Sequence, residues 1–429
     1  MLVGLVIGSG IFRVPSVVAT EVGSVGAAAL VWILGAAVTL CGALTMAELA
    51  VTYPRPGGAY VFLREAYGPL VAFLFGWIKL LVAGPAALAA ISLIFAAYAG
   101  TFVPLSDGEQ RLVAGALLVT ITAINIRSVS WSATLQNISS FAKVLALVAL
   151  AGLIFAFGDP SGGALSEPIV WAPTRWGGFW VALIAVLWTY TGWVDVTYIA
   201  GEVKDPNRNF PRAMMGGLGV IVFVYLLANA AYLYVLPMQE VARSSVVAAR
   251  AAERVFGAIG AAVVAALVMV STLGSLNGAI LSNPRIFFSM AEDGVFFRSV
   301  AAVHSRYRTP HIALLLFMVL GIAALTTHTF EQLAQIFVLG VWPFFALAVG
   351  AVFIVRRKRP EATPAYRTWG YPVVPAAFIV VSVAMLVNGV IRRPAQIAVS
   401  LCVLLAGIPA YYAWRAVERR RILRDAVSG

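Results

Sequence analysis

Charged side chains are scarce in this sequence. Asp, Glu, Lys and Arg together supply 11% of the 429 residues, whereas a typical soluble domain contains about 25%. Apolar residues make up 61% of the chain, and its mean hydropathy is +0.93. This composition excludes an ordinary water-soluble globule. It predicts an all-α protein that crosses a membrane many times, because a helix satisfies its own backbone in lipid.

Cysteine and histidine are scarce too, which limits the possible chemistry. The two cysteines, Cys41 and Cys402, lie in apolar runs, which argues against a disulfide framework. The three histidines, His304, His311 and His328, fall at the ends of such runs, without the spacing of a metal site or of a nucleophile and its base. The sequence also contains no ATP-binding motif. We therefore expect no enzymatic activity, no cofactor and no metal.

What the sequence has in abundance is long apolar runs. A membrane-spanning helix needs about 20 apolar residues, and twelve runs are separated by connections too short for a soluble domain. The first run lacks the basic leader and cleavage site of a signal peptide, and Met1 lies almost inside it, so we expect a tail lost through truncation or a misplaced start. The runs lie near residues 1–22, 26–50, 68–100, 112–127, 131–157, 178–202, 212–236, 256–290, 310–328, 332–356, 372–391 and 395–415.

The formal net charge of +12 is distributed unevenly along the chain. Most Arg and Lys residues lie in the even-numbered connections, such as residues 356–359, and in the C-terminal tail at residues 416–429. Cytoplasmic connections carry such an excess, so we expect a cell-membrane protein with both termini in the cytoplasm. Attraction to anionic lipid accounts for the basic balance, and we expect no nucleic-acid partner.

The first span contains an interruption at residues 6–12, VIGSGIF. Each glycine costs about 0.8–1 kcal/mol relative to alanine inside a helix, and Pro15 strains the following turn. Free backbone groups at membrane depth are tolerated only where they are buried in protein or line a cavity. The interruption therefore predicts a site for a polar solute, and it calls for a second interruption elsewhere.

The second interruption is predicted at residues 187–193, LWTYTGW, with Gly192 in the middle of the sixth span. The sixth span is equivalent to the first if the chain contains two five-helix repeats, and an odd number of helices inverts the second repeat. We expect repeats at residues 1–157 and 178–356, then two further helices at residues 372–415 and the basic tail.

The two interruptions together predict the kind of solute. Helix N-termini attract anions, and helix C-termini attract cations. Interrupted helices that meet near the middle of the bilayer would therefore hold a small zwitterion whose charges are about one amino acid apart.

Four charged side chains in the spans need an explanation. Lys143 is followed by more than ten uncharged residues, and a charge at that depth costs about 2.5–3.5 kcal/mol. We interpret it as a fixed cation that can hold helix carbonyls in place of sodium. Lys79 lies near one end of the third span and is expected to extend to the membrane surface. Glu48 is a candidate for a salt bridge beside a gate, and Arg13 either lines an outer vestibule or extends to the surface.

Several short stretches, in order along the chain, resemble the amino acid, polyamine and organocation transporters, which have the leucine-transporter fold. Together they are most similar to the L-type amino-acid transporter branch. The similarity extends from residue 1 to about residue 375. The stretches lie at residues 8–12 (GSGIF), 54–60, 131–147, 188–193, 201–211, 291–297, 308–310, 357–360 and 366–372.

The resemblance implies how the substrate would be bound. Backbone N–H groups of the first interruption would hold its carboxylate, and carbonyls of both interrupted helices would hold its ammonium. Trp188 would be the gate that closes over the substrate, and residues 277–279 would face its side chain. The implied binding residues are Val6, Ser9, Gly10, Ile11, Trp188, Thr191, Gly192, Asn277 and Ala279.

The resemblance also implies that Lys143 takes the place of a bound sodium ion. This lysine would contact the first and eighth helices, with Ser271 or Ser275 as acceptor and Gly8 close by. Because its ammonium is a permanent part of the chain, we expect transport that does not need sodium.

The expected activity is secondary transport by alternating access. No acidic residue falls at the implied pocket positions, so we expect neutral amino acids, small ones above all. A proton-coupled importer rather than an exchanger remains open, as does a transporter of cationic amino acids or polyamines. An ion channel is the alternative class, although nothing here resembles a carbonyl filter or a ring of like charges.

The connection that follows the third span bears on partners. The resemblance implies that a partner subunit would attach through a cysteine there, but residues 100–111 contain none. We expect no disulfide-linked heavy chain.

Overall fold

The protein is described here by a computed structural model, whose regular secondary structure is helical throughout the described residues. Parts of the signatures at 131–147 and 201–211, Met1 and most side chains of the basic tail lie outside the description. It covers residues 2–428 except 56, 128, 175, 199, 201, 202, 204, 298, 301, 308, 359, 361–363 and 393, and gives the backbone alone for 129–139, 284–285, 392, 395–396, 399 and 418–428. The α-helices are α1 (Leu2–Val6), α2 (Gly10–Val22), α3 (Val25–Thr52), α4 (Ala59–Tyr67), α5 (Pro69–Ile78), α6 (Gly84–Ala99), α7 (Asp107–Arg127), α8 (Val129–Phe157), α9 (Trp176–Tyr190), α10 (Trp193–Thr197), α11 (Pro206–Val235), α12 (Met238–Arg243), α13 (Val247–Ser282), α14 (Pro284–Glu292), α15 (His311–Thr327), α16 (Phe330–Lys358), α17 (Val373–Arg392) and α18 (Pro394–Ser428).

Ten segments of the described chain are long and apolar enough to cross a bilayer, judged by length and composition. Helix α15 is apolar but shorter, at 17 residues, and α1 and α2 make up the interrupted first segment. Each of the twelve predicted runs coincides with one helix or with successive helices. The prediction of an all-α, multi-pass membrane protein is confirmed.

Both predicted interruptions are present. Residues 7–9 bend between α1 and α2, so the second half of the first span begins at Gly10. In the sixth span, α9 ends at Tyr190 and α10 begins at Trp193. Between them Gly192 has φ 95°, a left-handed conformation that costs glycine little and other residues more. In the sixth span, glycine therefore allows the backbone to turn at a point where a residue with a side chain would be strained.

The two interrupted spans contact each other. Helix α2 packs against α9, and α1 packs against α10. The first half of one span thus lies beside the second half of the other, so the two spans run in opposite directions. Helices α8, α11 and α13 also contact α1. They surround the first interruption with protein, as free backbone groups at this depth require.

The third span is irregular as well. It consists of α5, a π-helical turn at Lys79–Ala83, and α6, which begins at Gly84. Gly84 and Pro85 begin α6, and the irregular turn lies just before them. A proline has no N–H to donate to the preceding turn, and π turns occur frequently at functional sites. Lys79 is the first residue of this one.

Glu48, near the end of α3, is buried. Its carboxylate accepts two hydrogen bonds of 2.8 Å from the Arg356 guanidinium. It accepts two more, both 2.6 Å, from the N–H and hydroxyl of Thr368. The predicted salt bridge is confirmed, and it joins α3, α16 and the segment before α17.

Replacing Arg356 by Met should destabilise the protein by about 3–5 kcal/mol, because the buried carboxylate of Glu48 then loses its ionic partner. We expect a lower thermal unfolding midpoint in detergent, measured by tryptophan fluorescence. Arg357→Met is the matched control, since Arg357 is exposed and its replacement should cost less than about 0.5 kcal/mol. Equal midpoints for the two variants would contradict a structural role for the Glu48 salt bridge.

Candidate substrate site

A cavity of about 70 Å³ lies between the halves of the two interrupted spans. Residues of the third span, α13 and α16 complete its wall. The residues predicted for the site that line it are Val6, Gly8, Ser9, Gly10, Trp188, Thr191, Gly192, Ser275 and Ala279. The other described residues that line it are Leu5, Lys79, Ala87, Ile91, Thr189, Asp195, Asn283 and Phe337.

Two glycines allow the interrupted spans to touch at this cavity. A Cβ atom on Gly192 would lie 2.8 Å from the Leu5 carbonyl oxygen and 3.0 Å from the Val6 nitrogen, which are both backbone atoms. A Cβ atom on Gly10 would lie 2.7 Å from the Thr189 side chain. Any larger residue would separate the spans, so this contact requires glycine.

The first turn of α2 forms one pole of the cavity. The first N–H groups of a helix have no acceptor within the helix and carry partial positive charge. Ser9 and Gly10 line the cavity at this end. The side chain of Ile11 is instead fully buried in the apolar core, so Ile11 can contribute only its backbone. This end of the cavity suits an anionic group such as a carboxylate.

The carbonyls at the opposite pole are held by Tyr225 of α11, which the sequence analysis did not identify. Its buried hydroxyl lies 2.7 Å from the Val6 carbonyl oxygen and 3.2 Å from that of Thr189. The Trp188 carbonyl accepts the Thr191 N–H at 3.1 Å. A carbonyl oxygen has two lone pairs, so these groups can also accept from a substrate ammonium. One tyrosine in an apolar helix gives no signal in the sequence.

Lys143 is buried in α8 and connects three helices. Its ammonium donates to the Gly4 carbonyl at 2.9 Å and to the Ser275 hydroxyl at 3.2 Å. Of the two predicted acceptors, Ser275 makes the contact, whereas the Ser271 hydroxyl is buried without a hydrogen-bond partner in the described part of the chain. Gly8 packs on Ser275, since a Cβ there would lie 2.8 Å from its Oγ. The carbonyl that Lys143 reaches on the first span belongs to Gly4, which the sequence analysis missed.

Asn277 lies away from the cavity. Its side-chain oxygen accepts the Asn125 amide at 2.9 Å, and both residues are buried. The cavity face of α13 carries Ser275 and Ala279 and continues to Asn283. These residues are four apart and share one side of a helix, whereas a residue two positions away points elsewhere. The structure therefore separates Asn277 from the other predicted binding residues.

Lys79 does not extend to the membrane surface, so that expectation is wrong. Its side chain is 2% exposed and its Nζ lies 3.6 Å from Asp195 Oδ1. The rings of Tyr198 and Phe337 lie 5.7 Å and 5.2 Å from the same ammonium. Asp195 lines the cavity, so the expectation of a pocket without an acidic residue is wrong too. Its position three residues after Gly192 could have indicated this.

Aromatic and charged side chains separate the cavity from a vestibule of about 280 Å³ on the side of the odd-numbered connections. The Trp188 ring lies 5.2 Å from that of Phe330, edge to face. The Arg13 guanidinium lies 5.8 Å from the Phe330 ring, donates to the Ser244 carbonyl at 3.3 Å and forms an ion pair with Glu331. Arg13 was expected either to line a vestibule or to extend to the membrane surface, and in the structure it lines the vestibule.

A second group of contacts lies on the side of the even-numbered connections. Asp293 accepts the Tyr60 hydroxyl at 2.7 Å and the Arg64 guanidinium at 2.6 Å. Burial, and then the hydrogen bond to Asp293, raise the pKa of the Tyr60 phenol. The Gly57 N–H donates to the Tyr198 carbonyl at 3.1 Å. The turn that precedes α4 is thereby connected to the residue that follows α10.

Comparison with known proteins shows which family this architecture represents. The sequence profile of the family described as amino acid permease matches residues 1–408. The chain belongs to this family. Serine/threonine exchanger SteT of Bacillus subtilis (strain 168) is 31% identical over 415 residues, which cover 96% of this chain and 94% of that protein. The human large neutral amino acids transporter small subunit 2 is 31% identical over 428 residues, with coverage of 96% and 78%. The human cystine/glutamate transporter is 29% identical over 426 residues, with coverage of 96% and 83%.

The permease is thus an amino acid transporter of the L-type branch, as the sequence motifs indicated. The relatives are named for different substrates, and the names include hydroxyl-bearing, large neutral and acidic amino acids. Family membership alone therefore does not identify the substrate, which depends on the residues that line the cavity.

Gly192→Ala should abolish transport, because its Cβ would meet the backbone of α1 and alanine disfavours φ 95° by about 1–2 kcal/mol. Uptake of labelled amino acid into proteoliposomes measures the effect. Gly219→Ala in α11 is the control, since no atom lies within 4 Å of the added Cβ. Normal uptake by the Gly192 variant would show that the contact between the spans is dispensable.

Proposed function

We propose that this permease exchanges neutral L-amino acids across the cell membrane without sodium, by alternating access. The observation that carries the proposal is the cavity between two interrupted spans that run in opposite directions. One end offers the N-terminus of α2 to a carboxylate, and the carbonyls of Val6 and Trp188 offer acceptors to an ammonium. A free amino acid carries both groups.

The charges around the cavity support a neutral substrate. Lys79 and Asp195 are the charged members among its described lining residues, and at 3.6 Å their charges compensate each other. The sequence favoured a neutral substrate because the pocket was expected to contain no acidic residue. In the structure the support comes instead from the compensating charges of Lys79 and Asp195. The names of two relatives, the serine/threonine exchanger and the large neutral amino acids transporter, agree with it. A cationic amino acid or polyamine would require a carboxylate without a partner cation.

Lys143 supports sodium independence. Its ammonium already bridges the Gly4 carbonyl of α1 and the Ser275 hydroxyl of α13. A transporter that uses sodium would need the ion to supply this positive charge between two helices. Here the charge belongs to the chain.

Two closures on opposite sides of the cavity support alternating access. Trp188 and Phe330, with Arg13 and Glu331, lie between the cavity and the vestibule. The contacts of Asp293 lie on the other side. We propose that these two groups of contacts open in turn, so that the site faces one compartment at a time.

We further propose inverted repeats at residues 1–157 and 178–356, with residues 372–415 as two additional helices and both termini cytoplasmic. The contacts of α1 with α10 and of α2 with α9 support the inversion. The excess of Arg and Lys in the even-numbered connections supports the orientation. Residues 100–111 contain no cysteine, so we propose that no heavy chain is disulfide-linked there.

Exchange can be tested with purified permease in proteoliposomes. We expect labelled neutral amino acid to enter rapidly when the lumen contains unlabelled amino acid, and equally fast when choline replaces sodium. Loss of uptake in choline would refute sodium independence. Uptake into empty vesicles that rises as the external pH falls would identify a proton-coupled importer instead.

Lys143→Met should lower exchange at least about tenfold while the protein still expresses and elutes as a single species, because the carbonyl of Gly4 loses its cationic donor. Lys358→Met is the control, since Lys358 bonds to the Ala66 carbonyl at 3.0 Å, away from the cavity. If the Lys143 variant exchanged amino acids at the wild-type rate, Lys143 would have no role in transport.

A further inference from the structure

Three polar side chains of the cavity are not among the groups proposed to bind the amino and carboxyl groups of an amino acid. Lys79 belongs to the π turn of the third span, Asp195 to α10, and Asn283 follows α13. All three line the cavity. The backbone ends at Ser9 and Val6 are proposed to take the two charged groups of the substrate, so the three side chains face what remains of it.

Each of the three has a donor or an acceptor that forms no hydrogen bond of ordinary length with the described residues. Lys79 Nζ lies 3.6 Å from Asp195 Oδ1, beyond the usual 2.7–3.2 Å of such a bond. Asp195 Oδ1 and Asn283 Oδ1 are buried without a hydrogen-bond partner among the described residues. Buried polar groups in proteins are nearly always paired. Three incompletely paired groups in one cavity therefore indicate a polar occupant.

The charges restrict what this occupant can be. An acidic group would approach the Asp195 carboxylate, and a basic group would approach the Lys79 ammonium, so both are opposed by one member of the pair. An aliphatic group would leave the three side chains without the hydrogen bonds that they can still form. An uncharged group that both donates and accepts can donate to Asp195 or Asn283 while it accepts from Lys79. Hydroxyl and carboxamide groups do this.

We propose that Lys79, Asp195 and Asn283 form the side-chain subsite of the permease and select amino acids that carry a hydroxyl or carboxamide over aliphatic amino acids of the same size. This inference rests on the proposed exchange of neutral amino acids and specifies its substrates. A site built to hydrogen-bond a substrate hydroxyl discriminates strongly against the analogue that lacks it.

The first experiment compares substrates of equal shape in wild-type permease. Threonine and valine differ by a hydroxyl in place of a methyl group, and asparagine and leucine are similarly matched. We expect threonine to exchange with a kcat/KM at least about tenfold above that of valine. Asparagine should exceed leucine in the same way. Labelled substrate and excess luminal amino acid in proteoliposomes give these values.

The second experiment removes both charges together, because a single substitution would leave an isolated buried charge. In the double variant Lys79→Met and Asp195→Leu, the ratio of threonine to valine exchange should fall close to one while valine exchange continues. The matched control removes the exposed ion pair of Arg250 and Glu253, which lies away from the cavity. Arg250→Met with Glu253→Leu should leave the ratio unchanged.

The outcomes separate this proposal from the proposed function. If wild-type permease exchanges valine as well as threonine, the proposed subsite is wrong but the proposed exchange of neutral amino acids still holds. This result is expected if the polar groups of the cavity bind only water. If the permease exchanges no neutral amino acid at all, both the subsite and the proposed function are rejected. A double variant that keeps the preference for threonine also overturns the subsite. If that variant does not fold, Asn283→Leu takes its place, and an unchanged ratio in this variant overturns the proposal equally.

Discussion

The backbone of a membrane-spanning segment must find its hydrogen-bond partners inside the protein, and this permease breaks two helices in the middle of its apolar interior. The structure meets the requirement through direct contact. Gly192 touches the backbone of α1, and Tyr225 reaches carbonyls of both interrupted spans. Helices α8, α11 and α13 enclose the interruption. The same groups that would be costly in lipid thereby become the polar wall of a cavity.

Charge in this interior follows the same requirement. Lys143 is tolerated because a carbonyl and a hydroxyl accept from it, and Glu48 because Arg356 and Thr368 donate to it. Buried charges in proteins are paired in this way, or their burial costs too much. The looser pair of Lys79 and Asp195 contrasts with them, and it is the pair that lines the cavity.

The sequence predicts those features that depend on local properties. Apolar run lengths give the spans, and glycines inside them give both interruptions. The depth of Lys143 within its span marks it as unusual. Features that depend on how helices rotate and pack side by side are not predictable in this way. The π turn at Lys79–Ala83 adds a residue to one turn, and lateral packing brings Lys79 to Asp195. Asn283 lines the cavity whereas Asn277 does not, and Tyr225 contacts carbonyls of both interrupted spans. Both facts depend on which side of a helix meets its neighbour.

Lys143 also bears on energetics. A sodium ion that crosses the membrane down its electrochemical gradient releases free energy that can drive its substrate. In the proposed sodium-independent cycle, the ammonium of Lys143 is attached to the chain, so it returns with every cycle and moves no net charge between compartments. Under the proposed exchange, each molecule that enters is matched by one that leaves. The protein then reaches balance when the inside-to-outside ratio is the same for all of its substrates. It can accumulate one amino acid only as far as the outward gradient of another allows.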